Sequence, residues 1–197
     1  CRATNWPKQA VYSLALLPLA LGAVEPMLPN PARFSSTTRS VFIAAPAETV
    51  WHALNNARDI RPAEVGGAWA WRIGVPMPVE GVTEERAEGR VREVRWQKDV
   101  HFEEVVADWS PPHRLRWTYR FAPDSFPQGA LDDHVLIGGH YFDLRETTYT
   151  LTPQAGGTAL RIDVAWRVST RFNWYADRVA QFLLGDFSEH ILGLYKS

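Results

Sequence analysis

The strongest constraint on the fold is a change of hydrophobic period in the C-terminal half of the chain. In residues 114–121 and 159–168, apolar and polar side chains alternate, as in β-strands with one buried and one solvated face. After Asn173, an expected N-cap, apolar residues recur at spacings of three and four. This spacing predicts one helix that reaches Tyr195 and is roughly 30 Å long.

The preceding sequence supplies the other elements of the predicted domain. Residues 39–44 form a first strand, and Pro46 opens a helix. Segments 69–73, 89–96, 98–109 and 144–151 are further strand candidates, and the last forms a hairpin with 159–168 across a Gly-Gly turn. The expected class is α+β, a helix-grip fold with a curved antiparallel sheet wrapped around the C-terminal helix. A bent sheet leaves a space beneath the helix, which predicts an apolar cavity.

The N-terminal segment, residues 1–37, is assigned outside the domain at 38–197. Residues 9–24 carry no charge and contain Pro18, and a spacer with three prolines follows at 25–31. Three interpretations compete: the end of a transmembrane helix, the apolar region of a secretory signal, or a helix packed on the domain. The first is favoured.

Composition excludes some functions and favours others. The nine Trp suit the walls of a pocket or an interface with a membrane. The formal charge of −1 and the lack of a basic block give no reason to expect a nucleic-acid partner. The only cysteine, Cys1, cannot form an intramolecular disulfide, and no cofactor motif is present.

Two phrases and the closing helix resemble one superfamily. They are VFIAAPAETVWHAL at 41–54, YTLTPQAGGTALRIDV at 149–164 and the helix from Asn173. In this order they resemble the START/Bet v 1-like (SRPBCC) superfamily, including its polyketide cyclase/dehydrase-like and lipid-transport branches. The phrases HFEEV at 101–105 and YFDLRE at 141–146 resemble a bacterial subgroup in which membrane helices precede the domain. The resemblance implies a cavity for a hydrophobic ligand and a place at the bacterial inner membrane, but no particular reaction.

Aromatic residues on the strands and apolar residues on the helix are the candidate ligand wall, with plain core packing as the alternative. The candidates are Trp117, Tyr119, Tyr149, Trp166, Val179, Phe182 and Leu183.

Catalytic candidates are few. His101 and Glu103 share one face of a strand and could act as an acid/base pair if that face lines the cavity. A solvent-facing polar pair is the favoured alternative. Arg145 and Glu146 face opposite sides of a regular strand, so one of them is expected to point inward with a charged partner. Glu146 is the third catalytic candidate, with a structural ion pair as the favoured alternative.

The loop at 122–140 and its neighbours contain a possible metal-binding set, whose spacing matches no strong pattern, so no metal is predicted. The set is Asp132, Asp133, His134, His140 and Asp143. Because long loops often cover binding sites, this loop is expected to lie over the cavity mouth.

The sequence therefore predicts a protein that binds or transports a hydrophobic small molecule or lipid, associated with a membrane through residues 9–24. The alternative is a cyclase/dehydratase-type enzyme that uses His101 and Glu103 in the same cavity. A third possibility, a protein-interaction module, requires a filled interior and a large exposed apolar patch.

Overall fold

The computed structural model describes residues 32–131 and 136–196. The strands are β1 (Arg33–Ile43), β2 (Asn56–Ala57), β3 (Pro78–Arg86), β4 (Gly89–Trp96), β5 (His101–Ser110), β6 (Arg114–Arg120), β7 (Phe142–Gln154) and β8 (Gly157–Val168). The helices are α1 (Ala47–Asn55), α2 (Pro62–Val65), α3 (Trp69–Arg72) and α4 (Asn173–Leu194).

The strands form a single antiparallel sheet in the order β1-β8-β7-β6-β5-β4-β3-β2. The predicted hairpin joins β7 to β8, and Gly156 adopts a φ of +79° in its turn, where glycine is favoured. Helix α4 crosses the concave face of this curled sheet. This arrangement confirms the α+β helix-grip fold.

The first strand is longer than predicted. β1 begins at Arg33 rather than residue 39, and it pairs with β8 without interruption from Arg33↔Val168 to Ile43↔Thr158. Residues 33–37, which were predicted to lie outside the domain, therefore belong to the sheet. The polar run from Ser35 to Thr38 gives no hydrophobic signal, so only its pairing with β8 identifies it as a strand.

The predicted strand at 69–73 is wrong, because Trp69–Arg72 form the short helix α3. Tertiary contacts with α4 hold this turn: the Trp69 backbone N–H donates to Asp186 Oδ2 at 2.6 Å, and the Trp71 ring lies 5.3 Å from that of Phe187. Such contacts override the local preference of tryptophan for strands.

The main core lies between α1, the sheet and the end of α4, with Leu54, Leu115 and Leu160 fully buried. A smaller cluster around Trp166, Val168 and Ala180 fixes the start of α4 on β8. Within residues 32–131 and 136–196, no helix combines the length and the apolar character needed to span a membrane. The predicted membrane segment at 9–24 lies outside the described residues.

Candidate ligand-binding cavity

A cavity of about 800 Å³ lies between the concave face of the sheet and helix α4. Its walls are mostly apolar, and both the sheet and the helix contribute to them. The lining includes Val94, Phe102, Trp117, Leu144, Tyr149 and Ile162 from the strands, and Ala176, Val179, Leu183, Phe187 and Ile191 from α4. The bent sheet does leave the predicted space beneath the helix.

Five of the seven predicted wall residues line this cavity: Trp117, Tyr119, Tyr149, Val179 and Leu183.

Trp166 and Phe182 do not line the cavity, which corrects the prediction for both. Trp166 is only 1% exposed, and its Nε1–H donates to Asp177 Oδ1 on α4 at 3.2 Å. Its indole packs between β8 and α4. Phe182 is 55% exposed and lies 6.2 Å from the Trp69 ring. Because α4 packs against both the sheet and α3, its apolar face is wider than the part that meets the cavity.

His101 and Glu103 lie on the outer face of β5, as the favoured alternative of a solvent-facing polar pair has it, and not in the cavity that the acid/base hypothesis requires. The His101 side chain is 45% exposed, with Nε2 3.6 Å from Asp124. Glu103 accepts hydrogen bonds from Arg120 and Arg86, which lower the pKa of its carboxyl group. Strand alternation instead turns Phe102 and Glu104 into the cavity.

Glu146 also lies outside the cavity. It accepts a hydrogen bond from Arg116 at 2.8 Å, and Arg145 donates to Asp143 at 3.1 Å. The pairing of β7 shifts between Leu144 and Glu146, which marks a β-bulge at Arg145. The bulge removes the need for either charge to point inward, whereas the prediction assumed a regular strand.

The described residues contain no group of three or more His, Cys, Asp or Glu side chains that could hold a metal ion. Of the five metal candidates, Asp132, Asp133 and His134 lie outside the described part of the chain, and Asp143 pairs with Arg145. The loop that contains them does reach the cavity, because Leu131 and Ile137 line it.

The cavity wall contains a buried ion pair that was not predicted from the sequence. Arg92 on β4 and Glu104 on β5 are direct cross-strand partners, and Arg92 Nη1 donates to Glu104 Oε2 at 2.6 Å. Their side chains are 10% and 8% exposed. Arg92 and Glu104 both stand at strand positions whose side chains point toward the cavity, which could have indicated two inward charges. Their pairing depends on the register between β4 and β5, which the sequence does not reveal.

Burial and charge act in opposite directions on this pair. Burial raises the pKa of Glu104, and the guanidinium of Arg92 limits the rise. Burial also disfavours the charged form of Arg92, but the carboxylate outweighs it and the pKa of Arg92 is raised. The guanidinium lies 5.4 Å from the centre of the Trp117 ring, within reach of a cation–π contact.

Three tyrosines surround the pair. Tyr119 shares a hydrogen bond of 2.6 Å with Thr147, and the Tyr195 hydroxyl lies next to Arg92. Burial raises the pKa of Tyr119, Tyr149 and Tyr195, which keeps all three phenols neutral at physiological pH. The cavity can therefore hold an apolar molecule against aromatic walls and offer it a polar region beside Arg92 and Glu104.

A sheet curled around a C-terminal helix over such a cavity defines a helix-grip protein of the START/Bet v 1-like class. The chain belongs to the Activator of Hsp90 ATPase homolog 1-like protein family, whose profile matches residues 44–173.

Solved structures are similar to this chain at low sequence identity. A START superfamily protein from Mycobacterium smegmatis is 14% identical with a TM-score of 0.52, and the match covers 82% of this chain and 94% of that one. The di-domain ARO/CYC StfQ from the steffimycin biosynthetic pathway is 14% identical with a TM-score of 0.49, covering 83% and 50%. The di-domain ARO/CYC BexL from the BE-7585A biosynthetic pathway is 18% identical with a TM-score of 0.47, covering 97% and 58%. Comparison with curated protein sequences finds no match.

Proposed function

We propose that this protein binds a hydrophobic small molecule or lipid in the cavity beneath α4 and carries it. The observation that supports the proposal is the 800 Å³ apolar space, walled by aromatic side chains. Cavities of this size and character are typical of small-molecule sites. Burial of an aliphatic chain contributes about 0.8 kcal/mol per CH₂ group, so affinity requires no catalytic group.

The rim of the cavity provides a route for an apolar guest. Tyr141, Phe172, Tyr175 and Val179 line the cavity and are also exposed to solvent. An apolar ligand that enters between these four residues stays in contact with apolar surface from the rim to the interior of the cavity.

Displacement of a neutral fluorescent probe, N-phenyl-1-naphthylamine, tests the proposal on the full chain. We expect saturable binding and at least a tenfold loss of probe affinity in the double variant Val179→Trp/Leu183→Trp. Both residues line the cavity and lie one turn apart on α4. The added indoles occupy space that the probe requires.

The matched control is Arg178→Trp/Gln181→Trp, which adds the same two side chains at exposed positions of α4 outside the cavity. It is expected to keep wild-type affinity, with circular dichroism confirming the fold of both variants. Equal loss of affinity in the two variants, or no saturable binding to the wild type, contradicts binding in the cavity.

We also propose that residues 9–24 hold the domain at a membrane, the bacterial inner membrane in the host cell. The support is the uncharged sequence of this segment and the exposed aromatic residues at the cavity rim. Flotation with phosphatidylglycerol-containing vesicles measures the association. We expect the full chain to float and the variant Leu16→Asp/Leu19→Asp to remain at the bottom of the gradient. Flotation of both to the same extent contradicts a role for this segment.

A further inference from the structure

Four polar residues gather at one part of the largely apolar cavity wall. Arg92, Glu104, Tyr149 and Tyr195 are all buried and all line the cavity. Arg92 and Glu104 are joined at 2.6 Å, and Tyr149 and Tyr195 belong to the buried core cluster around the same wall. We name these four residues the Arg92 cluster.

The Arg92 cluster has hydrogen-bonding capacity that the described part of the protein does not use. Among residues 32–131 and 136–196, Arg92 Nε is buried without an acceptor, and Glu104 accepts one hydrogen bond of good geometry, from Arg92 Nη1. The indole N–H of Trp117 lies near Glu104 but meets no acceptor with hydrogen-bond geometry in the described part of the chain. The hydroxyl of Tyr149 has no hydrogen-bond partner among residues 32–131 and 136–196.

Unused donors and acceptors inside a protein are costly, because they lose their hydrogen bonds to water. Arginine and tyrosine supply donors, while a carboxylate and a phenol oxygen supply acceptors. The Arg92 cluster therefore matches a ligand group that donates and accepts at the same time.

Charge balance narrows the chemistry of that group. Arg92 and Glu104 neutralise each other at 2.6 Å, so a charged ligand would bring an uncompensated charge into the apolar cavity. A ligand carboxylate is repelled by Glu104, and a ligand ammonium is repelled by Arg92. A hydroxyl group avoids both costs and uses a donor and an acceptor.

We propose that the Arg92 cluster binds the hydroxyl group of a neutral, otherwise apolar ligand. This inference rests on the proposed binding function and names the ligand class. The rings of Phe102, Trp117 and Tyr119 lie along the same wall and suit a flat ring system beside the hydroxyl group.

Three ligands of one shape test this inference in the full chain by displacement of N-phenyl-1-naphthylamine. They are naphthalene, 2-naphthol and 2-naphthoate. An apolar cavity without a polar partner favours naphthalene, because the hydroxyl group must lose its water. We expect the opposite order, with 2-naphthol bound on the order of threefold to tenfold more tightly than naphthalene and 2-naphthoate bound most weakly.

The variant Tyr149→Phe removes one hydroxyl and keeps the ring. We expect it to weaken 2-naphthol binding by on the order of threefold to tenfold and to leave naphthalene binding unchanged. Thr118→Val is the control, since it removes a hydroxyl group from an exposed position of β6 outside the cavity. It is expected to leave the preference for 2-naphthol intact.

The outcomes separate this inference from the proposed function. If all three ligands displace the probe and naphthalene or 2-naphthoate binds most tightly, the hydroxyl site is wrong while binding in the cavity stands. A preference for 2-naphthol that survives Tyr149→Phe also overturns the assignment. If the probe itself does not bind, both proposals fail.

Discussion

The variant Arg92→Met is expected to lower the free energy of unfolding by about 3–5 kcal/mol at pH 8. Methionine fills much of the same space, so the loss does not come from an empty cavity. It comes from Glu104, whose carboxylate is 8% exposed and loses the guanidinium that lies 2.6 Å away. Urea denaturation followed by tryptophan fluorescence measures the change.

The loss is expected to depend on pH. Burial already raises the pKa of Glu104, and removal of Arg92 removes the charge that limits the rise. A carboxyl group whose folded pKa exceeds its unfolded value contributes fully to stability below the unfolded pKa. That contribution is lost as the pH rises through the folded pKa. The deficit of Arg92→Met relative to wild type is therefore smaller at pH 5 than at pH 8.

The double variant Arg92→Met/Glu104→Met provides the control. It removes both charges, and replacement of a buried ion pair by apolar residues is often neutral or stabilising. We expect it to recover most of the stability that the single variant loses. A double variant as unstable as Arg92→Met, or a deficit of the single variant that grows toward pH 5, contradicts the assignment of the cost to an unpaired Glu104.

The second large effect is expected for Trp166→Ala. The indole is 1% exposed and packs with Val168 and Ala180 where α4 begins. Truncation of a buried tryptophan costs about 3–5 kcal/mol, through lost burial and the cavity that remains. For a chain of this size the Tm falls by roughly 6–20 °C, measured by differential scanning calorimetry.

Trp166→Phe separates packing from hydrogen bonding in this cluster. It removes the donor to Asp177 but keeps a ring, and Asp177 retains its ion pair with Arg33 at 2.9 Å. We expect a smaller loss than for alanine. Because Trp166 lies outside the cavity lining, N-phenyl-1-naphthylamine affinity should stay unchanged at temperatures where Trp166→Phe remains folded. A large loss of probe affinity would contradict the placement of Trp166 outside the cavity lining.

Much of the architecture could be predicted because its signals are local. The alternation in β6 and β8 and the three-four spacing in α4 arise from side chains close in sequence. The errors occurred where distant contacts outweigh such signals. The contacts of Trp69 and Trp71 with α4 hold α3 as a helix, and pairing with β8 extends β1 through a polar segment.

The candidate site depended more strongly on long-range structure. The shared facing of His101 and Glu103 was predictable from the strand period, and both lie on the solvent-facing side that was favoured, but the sequence could not decide between the two sides. The inward positions belong to Phe102 and Glu104. A single bulge at Arg145 likewise turned an expected inward charge into an outer ion pair.

By itself, the sequence determined that an antiparallel sheet would meet one long amphipathic helix and leave an apolar space between them. This result follows from hydrophobic period and element length, which are properties of neighbouring residues. The tertiary structure alone decided that Arg92 meets Glu104 inside the cavity, and that Trp166 and Phe182 lie outside its lining. Strand register, bulges and the position of α3 control those contacts, and each depends on parts of the chain that are far apart in sequence.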